Sequence, residues 1–362
     1  MSSRKRNSNF ELLRVICMIL IIVGHAIMYH GSLGELGTTN YYIGNIIRSF
    51  CMMAVNCFVL ISGYFGINFS IKKIIKIDIT VVFYSIVIFL LSVILGIHSI
   101  TPKTDILLLF PILTKRYWFI SIYIVLCLIS PILNIIVNSL EKKQYKNLLI
   151  ILLVLFYILP TALYAINAPT ITGDSGYGII NFICLYLIGR YISLYYRDSK
   201  PKTFYLTGYI IVSCLLFLSN HILSEIFGFY FNTFISYDTI FALLSAIMLF
   251  MFFKNISINS KLINKLASGC FASYIIHMHP TISRYIFKDI FNIQKYTEIT
   301  YLLSLLIIPI LVFIITSIVE YIRVLIWGGV EEKICNLVCD TILVKKIEKG
   351  IESLKLSETI SN

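Results

Sequence analysis

The chain has 362 residues, of which 58% are hydrophobic and only 13% charged, and its mean hydropathy is +0.88. A soluble domain of this size needs far more polar surface. Its net charge is +12, but the cations recur in short clusters along the chain and form no single stripe, so a nucleic-acid partner has no support.

Apolar runs of about 20 residues recur along the whole length, each able to cross a roughly 30 Å hydrocarbon core. A β-barrel shows shorter, alternating segments instead. The pattern predicts an all-α polytopic membrane protein with about ten spans: 10–29, 44–66, 74–97, 117–138, 147–166, 177–196, 203–220, 235–253, 266–287 and 300–326. The segment "DILLLFPIL" (105–113) is too short to cross and reads as an interfacial or re-entrant piece. The basic start lacks a short apolar region followed by a small-residue cleavage site, so the first helix is expected to be retained. Residues 327–362 mix apolar and charged positions at helical spacing and read as a surface-lying amphipathic tail, after a membrane domain over 8–326.

Charge sets the orientation. Arg4, Lys5 and Arg6 precede the first span, and alternate connections carry Lys72, Lys73 and Lys76; Lys142, Lys143 and Lys146; Arg197, Lys200 and Lys202; and Lys254, Lys261 and Lys265. Of the intervening loops, 30–43, 167–176 and 221–234 hold no Lys or Arg, and the other two hold Lys103, Lys115 and Arg116, and Lys288 and Lys295. By the positive-inside rule both termini are cytoplasmic, and much of the net charge is topology and contact with anionic lipid of the bilayer. The nine cysteines form no CxxC pair and read as reduced, small apolar residues, with no metal site implied.

Arg14 and His25 interrupt the first apolar run. Eleven residues on a helix make three turns and about 20°, so both side chains share one face, about 16 Å apart along the axis. Arg14 fits either a snorkelling residue paired with Glu11 or a group facing a cavity, and His25 either bonds a neighbouring helix or serves function, since ionisable groups in the membrane are costly. "SGCFASYIIHMHP" (268–280) places Tyr274 and His277 three residues apart near the middle of the ninth span. Arg48 lies in the outer half of the second span, and Glu320 with Arg323 reads as a helix-surface ion pair near the inner end of the tenth. Lys72, Lys73 and Lys76 fit simple topology marking when taken alone.

In order along the chain, these residues resemble the membrane acyltransferase-3 family, many of whose members O-acetylate cell-surface polysaccharides. Arg14 and His25 match its Arg-x10-His helix; Phe58, Ser62, Gly63 and Tyr64 match its Phe-x-x-Ser-Gly-Tyr/Phe segment; "YWFISIYIVLCLISPILN" (117–134) resembles its Trp-Phe…Pro-Leu block; and Tyr274 with His277 matches its Tyr-Leu-Ile-His block. "KKIIKI" (72–77) resembles its basic loop, with Lys73 and Lys76 where the family has arginines. Lysine keeps the point charge and loses the bidentate fork. Some relatives carry an extracellular hydrolase-like domain after the membrane part, and this chain is expected to end without one.

The resemblance implies acetyl-CoA, or another acyl-CoA, as cytoplasmic donor, and a cell-surface polysaccharide or its lipid-linked precursor as acceptor, at the plasma membrane. On that reading Arg14, Lys72, Lys73 and Lys76 bind the anionic donor and His25 removes a proton from the acceptor hydroxyl or takes the acyl group itself. His277 stands as a second catalytic candidate, with Arg48, Ser62, Tyr274 and Glu320 as further candidates. A transporter would also place charges on a midplane pathway, but predicts inverted repeats and broken helices in corresponding positions, which the sequence does not display. A polymerase would carry its chemistry on a large outer loop, and no outer loop is long.

Overall fold

Helices supply nearly all the regular structure of the computed structural model, which describes residues 7–29, 33–197, 199–228 and 231–356. Arg4, Lys5 and Arg6 lie outside them. The first four helices are α1 (Ser8–Tyr29), α2 (Thr39–Cys51), α3 (Ala54–Phe65) and α4 (Ile71–Ile94). Then come α5 (Trp118–Ser139) and α6 (Lys142–Ala165), the latter passing through a π-helical turn at Val154–Ile158, followed by α7 (Ile179–Tyr195), α8 (Lys202–Phe227) and α9 (Ile240–Lys254). The last are α10 (Lys261–Ser268), α11 (Cys270–His277), α12 (Glu298–Cys339) and α13 (Ile342–Leu356). No strand occurs among the described residues.

Seven helical segments are long and apolar enough to cross a membrane, with α2 and α3 counted together over Thr39–Phe65. The chain is a multi-pass membrane protein. Two further expected spans, α7 and α9, are apolar helices of 17 and 15 residues. The remaining one is not continuous: α10 and α11 meet at Gly269, and past His277 the chain turns into a π-helical stretch at Tyr285–Ile290. Gly269 is needed there, because a Cβ would stand 2.5 Å from Ser317 Oγ of α12.

Local chemistry sets several boundaries. Thr38, Thr239 and Ser260 accept hydrogen bonds from Tyr41, Ala242 and Ile263 N–H and cap α2, α9 and α10. The α3–α4 connection turns at Gly66, whose φ of +72° favours glycine. The expected tail does not begin where the apolar run ends, because α12 continues unbroken to Cys339. At 42 residues it is about 63 Å long, roughly twice the hydrocarbon thickness. Lys72 and Lys76 of α4 pair with Glu332 on this extension at 2.6 and 3.2 Å.

Association of the spans rests on packing, since lipid is as apolar as the side chains. α3 and α7 approach closely at Gly63, where a Cβ would collide with the Tyr186 carbonyl oxygen, and at Gly189, where it would come 2.6 Å from the Leu60 oxygen. Phe10 at the start of α1 packs on Tyr64 and Phe65 at the end of α3, and Asn9 Nδ2 donates to the Phe253 carbonyl at the end of α9. The N-terminal end of α1, the Gly66–Ser70 loop and the end of α9 therefore lie together at one end, called here the basic end. The segments around Asn40, Tyr164, Tyr237 and Tyr296 gather at the far end.

Candidate active site

α1 runs along the wall of two adjoining cavities. The one nearer the basic end, about 240 Å³, is bordered by Arg14, Lys73, Ser62, Tyr123 and the Gly66–Ser70 loop. The other, also about 240 Å³, is bordered by Arg14, His25, Ser62, Tyr123, Tyr274 and the aromatic rings of Trp118, Phe119 and Tyr237. Arg14, Ser62, Ile77 and Tyr123 border both. The one-face relation of Arg14 and His25 thus holds in three dimensions.

The structure joins the two histidines. His25 Nδ1 lies 2.9 Å from His277 Nε2, although 252 residues separate them, and His277 Nδ1 lies 2.5 Å from the Ser273 carbonyl oxygen. A carbonyl only accepts, so His277 Nδ1 carries a proton. In the neutral ring Nε2 is then an acceptor, and it takes the His25 Nδ1–H. This leaves His25 Nε2 with a lone pair. His277 is wholly buried while His25 is 9% exposed, and of the two only His25 borders the cavity. Ser273 is tied to α12 in turn, its hydroxyl accepting from Thr316 Oγ1 at 2.9 Å.

Arg14 Nη1 contacts Glu11 Oε1 at 2.6 Å, and the same side chain borders both cavities. Ser62 Oγ donates to the Phe58 carbonyl at 3.0 Å and shares a 3.2 Å hydrogen bond with the Tyr123 hydroxyl. Of the three lysines, Lys73 borders the basic-end cavity, whereas Lys72 and Lys76 reach away to Glu332. Tyr274 borders the His25 cavity, 6.2 Å between ring centroids from His277. Arg48 is buried in α2 and borders neither cavity.

The reading of Glu320 and Arg323 as a surface pair is corrected by the structure. Arg323 is 8% exposed; its Nε and Nη2 donate to Glu320 at 2.7 and 3.0 Å, and Nη1 lies 3.2 Å from Glu331 Oε1. Tyr84 donates to Glu320 at 2.6 Å and Thr80 to Glu331 at 2.5 Å. The cluster clamps α4 to α12 and lies outside the cavities. Among the described residues, no three His, Cys, Asp or Glu side chains could together hold a metal ion.

The His25 cavity has an aromatic wall. Between ring centroids, Trp118 lies 4.5 Å from Tyr177 and 5.7 Å, stacked, from Tyr237. Behind it Asp238 accepts from the Tyr164 hydroxyl at 3.1 and 3.3 Å, and burial pushes its carboxyl up to about 6. Tyr123 and Tyr237 were not singled out from sequence; Tyr123 stands one helical turn from Phe119 on the face of α5, while nothing local marks Tyr237, a loop residue.

A family model described as an acyltransferase domain matches residues 7–319. No curated protein and no solved structure matches the chain.

Proposed function

The chain belongs to this acyltransferase-3 family and is an acyltransferase, and on that premise we propose that it moves an acyl group, in the first instance acetyl, from cytoplasmic acyl-CoA to a hydroxyl of a cell-surface glycan, across a ten-span domain whose basic end faces the cytoplasm. The observation that carries the proposal is the relay of His25, His277 and the Ser273 carbonyl, ending in a cavity.

The chemistry follows from the tautomers. His25 Nε2 takes the proton of the acceptor hydroxyl as its oxygen attacks the thioester carbonyl. As the C–S bond breaks, the imidazolium returns that proton to the departing sulfur, so ester and free thiol form and His25 ends neutral. His277 Nε2 accepts the His25 Nδ1–H throughout, which fixes the ring and supports its positive charge, as the third member of a triad does. Ser62 and Tyr123, which border both cavities, offer hydroxyl groups to the donor's arm. Arg14 and Lys73 supply positive charge at the cavity nearer the cytoplasm.

The acceptor side is supported by Trp118, Tyr177 and Tyr237, whose ring faces give a sugar ring a broad amphipathic surface. The Lys/Arg distribution supports the orientation: alternate connections are rich in Lys and Arg, as cytoplasmic loops are. The test is incubation of purified protein with acetyl-CoA labelled in the acetyl group and with cell-envelope glycans. Ester-linked label on glycan is expected. Label that crosses a sealed vesicle membrane without becoming ester-linked would instead support transport.

A further inference from the structure

Near the C-terminal end of α7 stands an arginine that the chemistry above leaves unused. Arg190 Nε is buried without a hydrogen-bond partner, and among the described residues no carboxylate lies within ion-pair distance of it. Arg14 by contrast has Glu11, and Lys72 and Lys76 have Glu332. A partly buried guanidinium with no internal counter-charge is costly unless an external anion meets it.

The fold places Arg190 deliberately close to the donor side. Gly63 and Gly189 let α3 and α7 pack backbone to backbone, and the next turn of the chain, Gly66, lies against the guanidinium: a Cβ there would come 3.1 Å from Nη1. Arg190 borders a third cavity of about 310 Å³ with Asn68, Asn134, Asn138 and the backbone of Phe65–Asn68. Its Phe65–Asn68 wall is also a wall of the cavity holding Arg14 and Lys73. The three cavities therefore follow one another in the order Arg190, then Arg14 with Lys73, then His25. The walls change from amide and guanidinium at the first to aromatic and aliphatic at the last.

Resting on the acyl-CoA reading above, we propose that the Arg190 cavity holds the phosphate-bearing nucleotide end of the donor, with the guanidinium as phosphate ligand and the neighbouring asparagine amides as hydrogen-bonding groups. A guanidinium offers paired N–H donors that match phosphate geometry. The donor's thin arm then runs past Lys73 and Arg14 toward His25.

The experiment compares two donors on the full chain in lipid nanodiscs: acetyl-CoA and S-acetylpantetheine, which carries the same thioester arm without the nucleotide. Arg190→Gln is expected to weaken acetyl-CoA binding about 10- to 100-fold, the range of one charge-assisted hydrogen-bonded contact, while kcat/KM with S-acetylpantetheine keeps its wild-type value. Arg190→Lys should fall between. Asn138→Asp, a change at an exposed position, places a negative charge beside the site and carries the same test if Arg190→Gln fails to fold; it too should weaken acetyl-CoA alone. Unchanged acetyl-CoA binding in these variants overturns the proposal, whether the arginine then serves a lipid phosphate or packing. So does a parallel fall with both donors. Wild-type protein that binds no acyl-CoA overturns the donor reading as well, so the two failures are told apart.

Discussion

Replacing His277 by Ala removes the acceptor that holds the His25 Nδ1–H at 2.9 Å, and leaves the cavity-bordering imidazole itself in place. During transfer His25 carries a positive charge, and a hydrogen bond to a charged group is worth about 1.5–3 kcal/mol. That corresponds to a fall in kcat of about 10- to 150-fold, smaller than the hundred- to ten-thousand-fold expected for loss of a general base. KM for acetyl-CoA should stay near wild type, because His277 borders neither cavity of the site. His277→Gln offers an amide oxygen to His25 and an amide N–H to the Ser273 carbonyl, so part of the rate should return. Members of one relay act as a unit, so His277→Ala should cost nothing further in a His25→Ala background. The assay is steady-state transfer from acetyl-CoA to glycan, with thermal unfolding of each variant as the check on folding. Equal factors lost in both backgrounds would refute the relay, and an inactive His277→Ala beside an active His25→Ala would reverse the roles.

Three further outcomes follow from the packing and the far-end loop. Arg323→Met leaves Glu320 and Glu331 without their shared counter-charge and should cost about 3–5 kcal/mol, read as a large drop in melting temperature; Glu331→Gln, whose amide oxygen can still accept from Thr80, should cost less. Gly63→Ala forces a Cβ into the Tyr186 backbone, and about 1–3 kcal/mol of destabilisation is expected; a melting temperature equal to wild type would show that α3 and α7 can separate freely. Asp238, whose carboxyl burial raises to about 6, holds a proton in the folded state at pH values where the unfolded chain, near 3.9, has lost it. Folding is therefore favoured below about pH 4 and loses about 2 kcal/mol as pH rises to about 6. Asp238→Asn should lack that slope, and identical slopes in the two proteins contradict it.

The site was legible along the sequence only as far as one helix reaches. The spacing of Arg14 and His25 fixes a shared face because helical period alone decides it, and Tyr274 with His277 was placed at comparable depth by counting from the ends of an apolar run. What joins His25 to His277 is the packing of α11 on α1, which no local pattern encodes. The charge cluster shows a second limit. Glu320 and Arg323 look like an i, i+3 surface pair until Glu331 is added, and Glu331 lies beyond the end of the apolar run. Hydropathy marks where an apolar run ends, not where its helix ends; here α12 continues to Cys339, bringing Glu331 to Arg323 and Thr80 and Glu332 to Lys72 and Lys76. Arg190 carries a weaker signal of the same kind as Arg14, a cation inside an apolar run. Its meaning depends on the missing carboxylate and on the Gly63–Gly189 crossing, both properties of the fold.

The most direct test of acyl transfer through His25 is a single-turnover measurement of free thiol released from acetyl-CoA on addition of glycan, with wild-type and His25→Ala protein at matched donor occupancy. The wild type should release one thiol for each ester formed, and the variant should bind donor yet release thiol at least about a hundred times more slowly. Release at the wild-type rate by a folded His25→Ala protein would contradict the account.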